Sequence, residues 1–147
     1  RTWQRGEYWA MLSLPPRRLP ASASADQYVG AVARLEKAGR NPAAWAAYDA
    51  AVSRWPEHLG ARVGAGNAAY AAGDLKAAEF AFRQAAYSHP DSAAALNNLA
   101  QTLADLGRYD EAVGIARRAQ ALGGPNRETA ARTLEQILVR ADSAESR

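Results

Sequence analysis

Apolar and small residues recur along this chain at intervals of three and four, the spacing that lines one face of a helix, and glycine and proline interrupt them at regular places. Gly39, Gly73 and Gly107 stand 34 residues apart. Each is followed by a helix-opening stretch: Arg40-Asn41-Pro42, Asp74-Leu75-Lys76 and Arg108-Tyr109-Asp110. Five residues beyond each glycine comes Ala44, Ala78 or Ala112; four further, Tyr48, Phe82 or Ala116; three further, Ala51, Ala85 or Ala119. Pro56 and Pro90 close the first two units at the same period, while the third has Gly124 there and Pro125 one residue late. A fixed period of this length marks a repeat architecture, and slippage at the last unit fits a terminal repeat.

Glycine supplies the left-handed exit from a helix and proline cannot continue one, so each unit reads as helix, tight turn, second helix and loop. The predicted helices span 26–38 and 43–54, 58–71 and 75–88, 92–105 and 109–121. Alanine at a fixed place in the second helix lets the first pack close, and the aromatic four residues later fills the next gap on that face. A last helix over 126–140 mixes Thr129, Arg132 and Thr133 with Leu134, Ile137 and Leu138. Such a polar-backed helix can cap the apolar end of a stack. The polar residues 141–147 are expected to fray. The expected organisation is an extended segment (1–24), three repeats (25–58, 59–92, 93–124), a capping helix (125–140) and a flexible tail (141–147).

These positions resemble the tetratricopeptide repeat signature: a large residue, Leu-Gly and Tyr in the first helix, then Ala, Phe and Pro in the second. The middle unit keeps Gly66, Gly73, Ala78, Phe82, Ala85 and Pro90. The third keeps Leu96, Leu99, Leu103, Gly107, Tyr109, Ala112 and Ala119, and the first Tyr28, Leu35, Gly39, Ala44, Tyr48, Ala51 and Pro56. Departures are Arg62 at the usual Trp position, Ala69 for the Tyr and Ala116 for the Phe. They bear on local packing density, not on the fold. The resemblance implies an all-α, right-handed solenoid whose first helices line a concave surface. Carried over by register, that surface takes Val63, Asn67 and Tyr70 from the second unit, Asn97, Asn98 and Gln101 from the third, and Arg132 from the cap. The first unit adds Val29, Ala33 and Glu36.

An amide side chain offers donor and acceptor at once, so this lining suits an extended peptide held through its main chain. Tyr70 would add an apolar anchor. Asn97 and Asn98 also have a plainer reading, as partners of neighbouring repeat backbone. Relatives that clamp a C-terminal carboxylate use several Lys and Arg, whereas only Arg132, with Arg62, is available here. The expected function is therefore a protein-interaction scaffold that binds a peptide or partner protein in its groove.

Composition narrows the alternatives. Lys and Arg number 18 against 15 Asp and Glu, and the basic residues are scattered rather than striped with aromatics, so nucleic acid is not an expected partner. The chain has no cysteine, which removes thiol nucleophiles, disulfides and thiolate metal sites. His58 and His89 sit near the unit-closing prolines as ordinary turn residues, unaccompanied by the ligands that zinc needs. Asp74 and Asp110 have capping or dipole roles, and Gly64-Ala65-Gly66 and Gly123-Gly124 are packing and turn glycines rather than phosphate loops. No catalytic residue, cofactor or metal is expected within the chain. No apolar run approaches the roughly 20 residues of a membrane span. The Ala- and Arg-rich composition is similar to that of proteins from GC-rich bacteria, leaving a cytoplasmic or an exported, periplasmic location open.

The first twenty residues break the pattern. Tyr8-Trp9-Ala10-Met11-Leu12-Ser13-Leu14 predicts a strand, followed by an extended linker through Pro15-Pro16 and Leu19-Pro20. A lone strand cannot satisfy its own ladder, so it either pairs with something outside this chain or straps across the solenoid. Self-association through residues 3–14 is one such arrangement. The phrase from Trp3 to Pro20 resembles the end of the papain-like domain in bacterial proteins that join a bacteriocin-leader-peptidase-like domain to tetratricopeptide repeats. That resemblance implies an alternative function, the recruiting or regulatory tail of a cysteine peptidase whose Cys and His lie upstream of Arg1. The opening Arg1-Thr2-Trp3, without Met, fits an excised or processed segment.

Overall fold

The computed structural model describes residues 21–147. Seven α-helices follow one another among them: α1 (Ala25–Lys37), α2 (Asn41–Arg54), α3 (Leu59–Ala71), α4 (Leu75–Ser88), α5 (Ala93–Asp105), α6 (Tyr109–Ala121) and α7 (Arg127–Glu145), the last preceded by a 3₁₀ turn, Gly124–Asn126. For the first six, both ends fall within two residues of the sequence-based expectation. The seventh continues to Glu145, through residues expected to fray. Ala141 and Ala144 favour helix, and the Ser143 and Ser146 hydroxyls donate to the Val139 and Asp142 carbonyls at 3.0 and 2.9 Å. The strand and linker expected within residues 1–20 lie outside the described residues.

The turn within each hairpin is made by glycine in the left-handed region, with φ of 79° at Gly39, 81° at Gly73 and 77° at Gly107. The following N–H, of Arg40, Asp74 or Arg108, reaches back to the carbonyl of Leu35, Ala69 or Leu103. This pairing satisfies carbonyls the helix end would otherwise leave open. At the helix starts, Ser24, Asp74 and Ser92 accept from the backbone N–H three residues on.

His58 caps α3 in the same way, a role its place near a proline did not disclose. Its Nδ1 accepts from the Ala61 N–H at 3.0 Å, so Nε2 carries the proton and donates to Asp26 Oδ1 at 2.6 Å. One imidazole thus ends α3 and ties it to α1. Replacing His58 by alanine is expected to cost about 1 kcal/mol, the usual worth of a helix cap; thermal unfolding at unchanged midpoint would contradict this assignment.

Alanine dominates the contact surfaces. Ala44, Ala78 and Ala112 are fully buried, and Tyr48 and Phe82 fill the gaps beside the first two. Gly64 and Gly66 let α3 pass between them: a Cβ on Gly64 would sit 2.3 Å from the Tyr48 ring, and one on Gly66 2.5 Å from the Phe82 ring. Tyr28 packs on Trp55 with ring centres 5.5 Å apart.

The two rows of helices are spaced differently. First helices pack directly on one another, α1 on α3, α3 on α5 and α5 on α7. Second helices are parted by clefts, one between α2 and α4 and one between α4 and α6. The stack therefore curves with α1, α3, α5 and α7 on its inner side. Across the second cleft, Arg83 bridges Glu79 and Glu111, and Arg108 bridges the same two carboxylates. Hydrogen bonds from Arg83 and then Arg108 hold the Glu111 carboxyl below its ordinary range.

Candidate functional site

Four helix faces line the concave side, and polar side chains link three of them rung by rung. Asn98 Nδ2 on α5 donates to Asn67 Oδ1 on α3 at 3.1 Å. Gln101 Nε2 donates to Thr133 Oγ1 on α7 at 3.5 Å. At the far end, the Tyr70 hydroxyl of α3 donates to Asp105 Oδ2, and Arg140 of α7 donates to Asp105 Oδ1 at 2.8 Å. Arg140 also reaches the Ala104 carbonyl at 3.3 Å, where a cation complements the C-terminal end of α5. Its guanidinium lies 5.9 Å from the centre of the Tyr109 ring.

These contacts settle the local electrostatics. The bond to Asp105, with burial second, pushes the Tyr70 hydroxyl above its ordinary range, and the same carboxylate raises Arg140. Arg132 stands exposed and, among the described residues, pairs with Glu128 on its own helix, at 3.6 Å. Glu36 accepts from the Tyr48 hydroxyl at 3.0 Å. Asp105, Arg140 and Glu36 thus each meet an opposite charge or a hydroxyl within the fold, while Glu135 of α7 stands exposed beside them.

The Asn67–Asn98 pair leaves valences open. Asn67 Oδ1 is taken, but its Nδ2 and the Asn98 Oδ1 have no partner among the described residues. An amide N and an amide O are thus presented side by side, the pattern that matches a peptide unit. Below them, a cleft of about 470 Å³ opens between α5 and α7, lined by Gln101, Thr133, Glu135, Gln136, Val139 and Arg140.

The expected groove residues are thus placed at different depths. Asn67, Tyr70, Asn98 and Gln101 come together on one surface, whereas Val63 is half-buried against the core and Asn97 is 9% exposed with its Oδ1 unpartnered. Val29 and Ala33 are half-buried on α1. Thr133, expected on a polar backing, is buried instead, because α7 turns that face onto α5. Asp105, Thr133 and Arg140 were not anticipated as lining residues. The separations of Tyr70 from Asp105 and of Asp105 from Arg140 are 35 residues each, close to one repeat, and that spacing was a readable signal.

Among the described residues, no three His, Cys, Asp or Glu side chains gather closely enough to hold a metal ion, and no helix is long and apolar enough to cross a membrane.

Several solved structures share this architecture at low sequence identity. The type III secretion translocator chaperone SycD of Yersinia enterocolitica superposes with a TM-score of 0.75 at 19% identity, over 86% of this chain and 91% of that one. SycD in complex with a peptide of the translocator YopD gives 0.73 at 18%, over 82% and 98%. The TPR2B domain of yeast Sti1, in complex with pHsp70, gives 0.73 at 18%, over 82% and 97%. A search of curated proteins finds no significant sequence match. The profile of the tetratricopeptide repeat matches residues 31–88 and again 65–146, most of the chain, and the chain therefore belongs to the tetratricopeptide repeat family.

Proposed function

We propose that the concave face captures an extended segment of another protein and that the Asn67–Asn98 pair reads its main chain. The observation that carries this reading is the open amide N and O of that pair, held in place by the bond between them. Tyr70, partly exposed and fixed by Asp105, offers a ring beside the amides, and the cleft between α5 and α7 offers room for a side chain. The complexes of SycD with a YopD peptide and of Sti1 with pHsp70 lend support, as proteins of like fold solved with partners.

The charge pairing within the groove has a consequence for the ligand. Arg140 is bonded to Asp105 and Arg132 lies beside Glu128, so among the described residues the groove presents no unpaired cationic cluster to an acidic terminus. Affinity should come from backbone hydrogen bonds and apolar contact and vary little with salt. The reading of the chain as a peptidase tail rests on residues 3–20, and nothing among the described residues favours it. A peptide selected from a random-sequence display library, titrated into isotopically labelled chain, is expected to move the side-chain amide signals of Asn67, Asn98 and Gln101. Shifts confined to α2, α4 and α6 would place the ligand elsewhere.

A further inference from the structure

The cleft between α5 and α7 joins an apolar floor to an acidic rim. Ile137, 2% exposed, and Val139, 61% exposed, supply the apolar surface, and the buried Thr133 lies beside them. Gln101, Gln136, Glu135 and Arg140 complete the lining. Glu135 stands four residues before Val139, so the two side chains are neighbours on one face of α7.

The two charged residues of the lining differ in what they have left to offer. Arg140 donates to Asp105 at 2.8 Å and to the Ala104 carbonyl at 3.3 Å, and lies against the Tyr109 ring. An acidic side chain entering the cleft would have to compete with Asp105 for it. Glu135 is exposed and has no hydrogen bond or ion pair among the described residues. Arg132, one turn earlier on α7, turns to Glu128 at 3.6 Å. Asp105, Glu128 and Glu135 therefore face Arg132 and Arg140, and the negative charge left over is that of Glu135. Gln101 gives its Nε2 to Thr133, so its Oε1 adds an acceptor near that carboxylate.

We infer that this cleft is a subsite for a basic side chain, Lys or Arg, of the captured segment, with the methylene stem on Val139 and Ile137 and the cation at Glu135. The inference rests on the reading of the concave face as a peptide groove. Lys and Arg have the matching build, apolar along the stem and charged at the tip. An acidic side chain would meet Glu135 as a like charge, and an apolar one would cover the floor but gain nothing from the carboxylate. One exposed ion pair adds only a small salt dependence to the affinity.

Helix spacing places the basic residue along the ligand. The Asn67–Asn98 pair bridges α3 and α5, and the cleft lies between α5 and α7, one helix further on. Packed helices stand about 8–10 Å apart and an extended chain advances about 3.3 Å per residue, so the basic residue falls about three positions from the peptide unit that the amides read.

A random-sequence peptide display library, selected in parallel on the wild-type chain and on Glu135→Lys, tests the proposal. Position 135 is exposed, so the two chains should show equal helicity and unfolding midpoint. Peptides selected on the wild type are expected to share Lys or Arg at one position, and those selected on Glu135→Lys to replace it by Asp or Glu. For a synthetic peptide from the wild-type selection, Glu135→Gln should weaken binding roughly threefold and Glu135→Lys about tenfold, since like-charge repulsion of similar size is added. Exchanging the peptide's basic residue for Glu should restore binding to Glu135→Lys. A peptide that loses affinity with Asn67→Ala and Asn98→Ala together yet keeps it with Glu135→Lys overturns the subsite and leaves the groove reading standing. So does a shared acidic or apolar residue in place of the basic one. Peptides indifferent to the amide pair, or a library that returns no binder, overturn the groove reading and the subsite with it.

Discussion

Gly66→Ala is expected to destabilise the chain by roughly 1–3 kcal/mol, although alanine is the better helix former by about 1 kcal/mol. The added Cβ would lie 2.5 Å from a ring carbon of Phe82. Phe82 is almost fully buried in the core with Ala69, Ala78, Leu99 and Leu103, so its ring can yield only by displacing packed neighbours. Gly64→Ala should act alike, since the Tyr48 ring lies in its way and the Tyr48 hydroxyl is tied to Glu36. Gly114 supplies the control: it too lies in a helix, but a Cβ added there would meet nothing within 4 Å, so Gly114→Ala should raise stability by about 0.4–1 kcal/mol. Urea unfolding separates the cases. Equal stability of the Gly66 and Gly114 variants would contradict the packing given for α3.

The largest expected loss from a single truncation is at Ile137. Its side chain is buried against Leu99, Leu103, Ala112 and Ala116, and so fastens α7 onto the last hairpin. Ile137→Ala removes that contact and leaves a cavity, at a cost of about 2–5 kcal/mol. Because each unit of a solenoid touches only its neighbours, the loss should be graded along the chain. Amide exchange is expected to quicken most in α7 and α6 and least in α1 and α2. Uniform quickening throughout would show that the stack unfolds as one block.

The difference between what the sequence disclosed and what it concealed follows from distance along the chain. Helix ends, glycine turns and the buried alanines depend on residues a few places apart, so their periodicity exposed them. Asp74 as a cap was legible for that reason; Gly64 and Gly66 were legible as packing glycines only in kind, since the Tyr48 and Phe82 rings they make room for lie 16 residues away. The His58 cap was not, because it needs a histidine tautomer chosen by Asp26, 32 residues earlier. The burial of Thr133 depends on how neighbouring first helices are rotated, which no single repeat encodes, whereas the clasp of Tyr70, Asp105 and Arg140 left its trace only in a spacing of 35 residues across repeats. Alanines 141 and 144 outweighed the polar character of the last residues and kept α7 helical beyond the expected end.

The same dependence explains the groove. Register alone placed Asn67, Tyr70, Asn98 and Gln101 on one surface, and the helix rotations then set their roles. Asn67 and Asn98 became a bonded pair with an open donor and acceptor; Asn97, one residue away, turned inward. Arg132 stayed at the surface, 3.6 Å from Glu128.

The groove reading is tested most directly by the affinity of a display-selected peptide for the wild-type chain and for the chain carrying Asn67→Ala and Asn98→Ala together. Both sites lie on the surface side of their helices, so helicity and unfolding midpoint should hold while affinity falls at least ~10-fold, the worth of one to two lost hydrogen bonds in a binding site. Unchanged affinity in a folded double variant would contradict the assignment of the concave amides as the peptide-reading surface.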